Sequence, residues 1–252
     1  MLIIYDNLTE NGTKVASSTN ALFPLANLDR LATTDEWRST AAPANIVYSL
    51  TGAQKATAVS VVGNNYLRAL TASKITLQGN ASDSWASPSF EVDLTLSSTE
   101  GFGYATFPEQ NFQFWRLVFE GTGYVAASSV FLGESFSLVT NDFDLGLTFT
   151  EADLTEVSFS TTGRRFIDSQ NVRVKTIDAT ISTMNKTEME AWRSFVQAVG
   201  KRNPFFLMVD PSAYILTDEG ITAGMFMLND ISSFRQQALG LWETSFSATE
   251  VI

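Results

Sequence analysis

The chemistry open to this chain is that of carboxylates, arginines and aromatic rings. Among its 252 residues there is no cysteine and no histidine. Thiolate nucleophiles, disulfides and thiolate metal sites are therefore excluded, as are histidine-ligated metals and a Ser-His-Asp relay within the chain. Carboxylates are plentiful, with 27 Asp and Glu. Two at the right separation could hydrolyse a glycosidic bond, but no spacing in the sequence marks such a pair. The chain is read as a non-enzyme, and no cofactor is expected.

The residues able to bind rather than react fall into a few groups. Trp85, Tyr66 and Arg68 sit in loop-like stretches, where binding residues concentrate. An aromatic face beside polar groups can stack on a sugar ring, so these three are the carbohydrate candidates. The alternatives are contact with a neighbouring subunit or cover for the core. Asp29, Asp35 and Glu36 could supply hard oxygen ligands to calcium, with Asp29 and Asp35 foremost. They lack the regular alternation of a dedicated calcium loop; a solvated loop is the better reading, and no metal is expected. Arg164 and Arg165 at a turn, with Arg173 and Lys175 on the next strand, form the densest basic spot in an acidic chain. They read either as an exposed hairpin or as a subunit contact pairing with acidic residues on a neighbour. Trp37 and Trp115 lie on apolar, strand-like segments and are read as core. Arg38 and Arg116, next to them, are expected to pair with buried carboxylates nearby.

The elements that must hold these groups are mostly strands. Hydrophobic residues make up 44% and charged residues 17%, with polar, turn-forming residues between apolar runs. Strands are predicted across residues 45–50, 56–62, 74–78, 112–119 and 125–133. Phe90, Val92, Leu94 and Leu96 alternate with Glu91, Asp93 and Thr95, as in a half-buried strand. About eight short strands with turns between them predict a jelly-roll sandwich. The texture changes between Glu134 and Asp144, which divides the chain into residues 1–137 and 138–252. The second half holds one convincing helix, over about residues 185–199. Asn185 and Glu188 have the spacing of a capping box, and Met189, Trp192, Phe195, Val196 and Val199 share one face. Asn203-Pro204 ends the helix and an apolar strand follows at 205–209. A long strand is predicted over 234–249. The fold class is thus mainly β: a sandwich, then a second β-sandwich with one packed helix.

Lys and Arg number 16 against 27 acidic residues, for a net charge of −11. That excludes nucleic-acid recognition through a basic surface and suits solubility. Residues Met1–Asp6 have no basic region and too short an apolar run for a leader. No window approaches the ~20 apolar residues of a membrane helix. Synthesis in the cytoplasm without membrane insertion is expected.

The first half resembles the discoidin-like, galactose-binding-type sandwiches found in bacteriophage virion proteins. The resemblance is carried by Asn27-Leu28-Asp29 followed by Thr34, Trp37, Arg38 and Ser39. It continues in Val59–Asn65 followed by Ile75–Asn80, and in Phe114-Trp115-Arg116-Leu117 answered by Val130-Phe131-Leu132-Gly133. Where the family has a second acidic residue in the opening loop, this chain has Leu31-Ala32, with Asp35 displaced. The second half is similar in order and texture to the tail-tube and distal-tail ring fold. The resemblance implies a virion structural protein of a phage tail tip or baseplate. It would form a ring of its own copies, a hexamer, and link the tail tube to host-recognition components, with other tail proteins as partners. Its location would be the virion tail, after assembly in the host cytoplasm. The alternative is a carbohydrate-binding adaptor that contacts a host-surface glycan.

Overall fold

The computed structural model describes residues 2–30, 35–63, 74–97, 101–137, 148–153, 156–159, 165–168, 173–209, 223–230 and 233–251. The first half contributes β1 (Leu2–Tyr5), β2 (Gly12–Ala16), β3 (Trp37–Arg38), β4 (Ala44–Val62) and β5 (Lys74–Asn80). It continues with β6 (Phe90–Asp93), β7 (Thr95–Ser97), β8 (Phe102–Glu120), β9 (Ala126–Ala127) and β10 (Ser129–Ser137). The second half has β11 (Thr148–Asp153), β12 (Glu156–Phe159), β13 (Arg165–Asp168), β14 (Arg173–Met184) and helix α1 (Lys186–Val199). After the helix come β15 (Phe205–Met208), β16 (Ala223–Leu228), β17 (Phe234–Ala238) and β18 (Leu241–Glu250). The protein is mainly β, with one α-helix among the described residues.

Two strands of 19 residues, β4 and β8, form the spine of that half. The sequence predicts two strands where β4 runs as one. Its pairing with β8 is interrupted after Ser49 by a register shift and resumes at Gln54, across from Phe112. A second shift, between Ala56 and Ala58, lies across from Pro108. Proline has no N–H to give a ladder, and a bulge is where a strand tolerates it. The alternating run 90–96 breaks at Leu94, whose N–H donates to the Ile75 carbonyl at 2.9 Å. Its two pieces then serve different neighbours: β6 pairs with β5, and β7 with β8. Inward positions of β4, β5 and β8 build one core around Trp37, Trp115 and Phe119, all fully buried. Both tryptophans are therefore core, as their apolar segments predict.

The first strand joins the two halves. β1 pairs antiparallel with β10 on one side, Ile3 across from Phe136, and with β15 on the other, Ile3 across from Leu207. One sheet consequently runs β11-β14-β18-β16-β15-β1-β10-β4-β8-β5-β6. All four residues of β1 are buried. Alternation divides them between two cores. Ile3 and Tyr5 join Phe136 and the helix residues. Leu2 and Ile4 join Ala58, Val62, Phe102 and Phe131 of the sandwich with Phe206, Met208 and Met225 of the second half.

Helix α1 covers the sheet on the side of Ile3 and Tyr5. The Asn185 side chain accepts from the Glu188 N–H at 3.0 Å, and the Glu188 carboxylate accepts from the Asn185 N–H at 2.9 Å. This is the capping box that the spacing predicts. At the other end the Gly200 N–H returns to the Val196 carbonyl. Trp192 packs on Phe136, Phe195 and Phe246, with ring centroids 5.1–5.8 Å apart. The long strand predicted over 234–249 is instead a hairpin, β17 and β18, turned at Gly240 with φ of 79°. Gly240 supplies the positive φ that other residues resist.

Candidate functional site

The loops at one end of the sandwich are tied to one another by backbone bonds. Asn20 N–H donates to the Arg38 carbonyl at 2.8 Å, and Arg38 N–H donates to the Phe23 carbonyl at 3.2 Å. Ser39 exchanges bonds with Val125, through its N–H and its hydroxyl, both at 2.9 Å. Ala42 N–H reaches the Gly123 carbonyl at 2.7 Å. Residues 39–42 are thus fixed against residues 123–125, which follow the end of β8.

Arg38 occupies the middle of this end. Its guanidinium lies over the Phe23 ring, 3.7 Å from the centroid, and 5.1 Å from the Tyr124 centroid. Its ion-pair partner is Glu36, a buried carboxylate. The expectation that Arg38 pairs with a buried neighbouring carboxylate is met here. A guanidinium clamped between two rings and a buried anion has little freedom left, so the rings are held too. Tyr124 remains 44% exposed. On the Phe23 side of Arg38 opens a cavity of about 270 Å³, lined by Leu22, Phe23, Pro24, Asn27, Arg30, Asp35 and Glu36. Asn27 is buried and donates to the Glu36 carbonyl at 2.9 Å. Arg30 and Asp35 form an ion pair at 2.8 Å on the rim. The cavity therefore offers donors and acceptors next to the Phe23 ring.

The residues singled out from sequence fall as follows. Trp85 is half-buried in the loop after β5; its indole N–H donates to Asp83 at 2.6 Å, and Arg116 lies over its ring at 4.7 Å. Arg116 bonds Gln78 at 2.7 Å, where a carboxylate is expected from sequence. Burial lowers the pKa of Arg116, and the charges of Asp83 and Glu91 oppose that shift. Tyr66 and Arg68 lie outside the described residues. Asp29 pairs with Lys14 and Asp35 with Arg30. Each proposed calcium ligand is thus already answered by a cation of the chain. Arg164 lies outside the described residues, and Arg165 opens β13 across from Phe159. The register sets Arg173 across from Asp153, and Lys175 across from Glu151. Sequence reading passes over Phe23 and Tyr124. The only signal for them is an aromatic residue within each of two polar loops, which means little until the loops meet.

No family model and no curated protein matches the chain. Solved structures similar to about half of it are carbohydrate-binding, discoidin-like sandwich modules. One is the family 32 carbohydrate-binding module of C. perfringens NanJ in complex with galactose. It is 12% identical, with 54% of this chain and 100% of that one covered, at a TM-score of 0.41. Another is a Streptococcus pneumoniae fucose binding module, 10% identical, covering 51% of this chain and 95% of that one, with a TM-score of 0.43. A third is the lectin domain of lectinolysin complexed with Lewis B antigen. There the identity is 8%, the coverage 51% of this chain and 96% of that one, and the TM-score 0.44. At such identities the likeness is one of fold. The resemblance of the second half to a tail module rests on sequence texture.

Proposed function

We propose that the first half of this protein binds a glycan at its loop end, in the cavity lined by Phe23, with the Arg38–Tyr124 pair on the other side of that ring. One observation carries the reading: the Phe23 ring, held against the Arg38 guanidinium, lines a cavity together with the polar groups of Asn27, Arg30, Asp35 and Glu36. Sugars ask for this combination. Their C–H faces stack on rings, and each hydroxyl both donates and accepts. A cavity of about 270 Å³ suits one sugar ring rather than a long chain. The second half then serves as the anchor that presents the sandwich.

A glycan array probed with the whole chain tests this, followed by calorimetry on any glycan retained. Tyr124→Ala removes a ring and Asp35→Ala removes an acceptor without touching the core. Each should weaken binding about tenfold, the worth of one good polar or stacking contact. Absence of retention across a broad array would refute the reading. So would glycan binding unchanged in both variants.

A further inference from the structure

Away from the loop end, the sheet carries a second constellation that the proposed site does not use. Register aligns Glu91 of β6, Gln78 of β5 and Arg116 of β8 in one row across three strands. The neighbouring positions on β5 and β8, Leu77, Trp115 and Leu117, face the core. The row therefore lies on the opposite face. Gln78 is only 9% exposed and both ends of its amide are engaged. Its nitrogen donates to Glu91 at 2.6 Å, and its oxygen accepts from Arg116 Nε at 2.7 Å. Over the row sits Trp85, oriented by Asp83 and Arg116. Its loop is pinned by Asn80, which donates to the Ser84 carbonyl at 2.6 Å and accepts from Ser89 at 2.9 Å.

We propose that Trp85, Arg116, Asp83 and Glu91 form a second saccharide site, selective for a neutral pyranose. An arginine has five N–H donors. Among the described residues Arg116 commits only Nε, and its terminal nitrogens make no hydrogen bond or ion pair. Two carboxylates, Asp83 and Glu91, stand close enough to influence its charge. The site thus holds spare donors on Arg116 beside acceptors on both carboxylates. A hydroxyl that donates to a carboxylate and accepts from the guanidinium satisfies both. One guanidinium against two carboxylates leaves the cluster net negative, which repels a uronate or sulfated sugar. The indole supplies the apolar face.

The two sites are separate. Gln78 and Arg116 are paired four residues before the Lys74–Glu120 pair that borders the loop end. At strand rise that is about 13 Å, and Tyr124 lies further on. An oligosaccharide of several units could engage both, and its affinity would grow with length by raised effective concentration.

The test uses the full chain labelled with 5-fluorotryptophan and read by fluorine NMR, with the Trp85 resonance assigned from Trp85→Phe. Galactose, glucose and mannose at millimolar concentration are the probes, with galacturonate as the anionic comparison. At least one neutral sugar should move the Trp85 resonance, and galacturonate should be about tenfold weaker. Arg116→Lys keeps the charge but loses the fork, and should reduce the response about tenfold. Unchanged Trp37 and Trp115 resonances in that variant show an intact core. Tyr124→Ala should leave the Trp85 response in place even if it abolishes binding at the loop end. The proposal is overturned if no neutral sugar moves the resonance or if galacturonate moves it more. It is also overturned if Tyr124→Ala removes the response, since the signal would then belong to the first site.

Discussion

Replacing Ile3 or Ile4 by alanine should destabilise both halves of the molecule at once. Each side chain is fully buried, and they enter different cores: Ile3 the helix side, Ile4 the junction side. Truncating a buried isoleucine costs about 2–5 kcal/mol, because lost transfer energy adds to the cavity left behind. The sites should fall near the middle of that range, about 3 kcal/mol, since β1 is held on both edges and cannot slide inward to fill the space. For a chain of this size that corresponds to a melting shift of roughly 6–12 °C. Calorimetry gives the shift, and hydrogen exchange gives its distribution. One cooperative transition should move, and amide protection should fall on β4 and β10 as well as on β14 and β18. Val15→Ala, at an exposed position, is the control and should stay within about 0.5 kcal/mol. Two separate transitions, with only one displaced by either substitution, would refute the idea that β1 couples the halves.

Other outcomes follow from local geometry. A Cβ added at Gly133 would meet the backbone oxygens of Tyr5 at 2.5 Å and Asp6 at 2.6 Å. Gly133→Ala should therefore cost about 1–3 kcal/mol, with exchange in β1 rising first. Asn185→Ala removes the side-chain half of the capping box and should cost about 1 kcal/mol. Thermal melts should show it, with fraying confined to the first turn of α1. Lys74 at 3.0 Å and then Thr76 at 2.8 Å hold the Asp93 carboxyl below its ordinary value of 3.8. A lowered folded pKa stabilises above the unfolded value, and that contribution is lost as pH falls through the folded one. The melting gap between wild type and Asp93→Asn should thus be present at about pH 6 and shrink toward about pH 2. A gap constant across that range would count against the assignment.

How far these features could be read from sequence depends on how local their causes are. The capping box was legible because Asn185 and Glu188 are three residues apart and nothing distant decides their bond. Trp37 and Trp115 read as core because their own neighbours are apolar. The division of 90–96 into β6 and β7 was not legible. Alternation persists through Leu94, and only the different partners on each side break the strand. Arg38 was assigned its carboxylate correctly, since Glu36 is two residues away. Its two rings come from loops about 15 residues before it and about 86 residues after it, and only the folded ladder brings them together. β1 shows the limit most plainly. A short run of consecutive apolar residues says that both faces are buried, but not that one face belongs to each of two cores.

The strand that ties the halves together is made before either of its partners and is among the last to be satisfied. Its first partner, β10, follows only after some 120 further residues, and β15 comes another 70 or so later. Until then Leu2, Ile3 and Ile4 have no core to enter. Such distant pairings are slow to form because loop closure must precede any gain from contact. During synthesis the sandwich core around Trp37 and Trp115 can close by itself, leaving an open edge on β10 and an apolar strand beside it. A second nascent chain could lend its own β1 to that edge. Expression at low density, or in company with a chaperone that shields strands, should therefore raise the yield of correctly joined molecules.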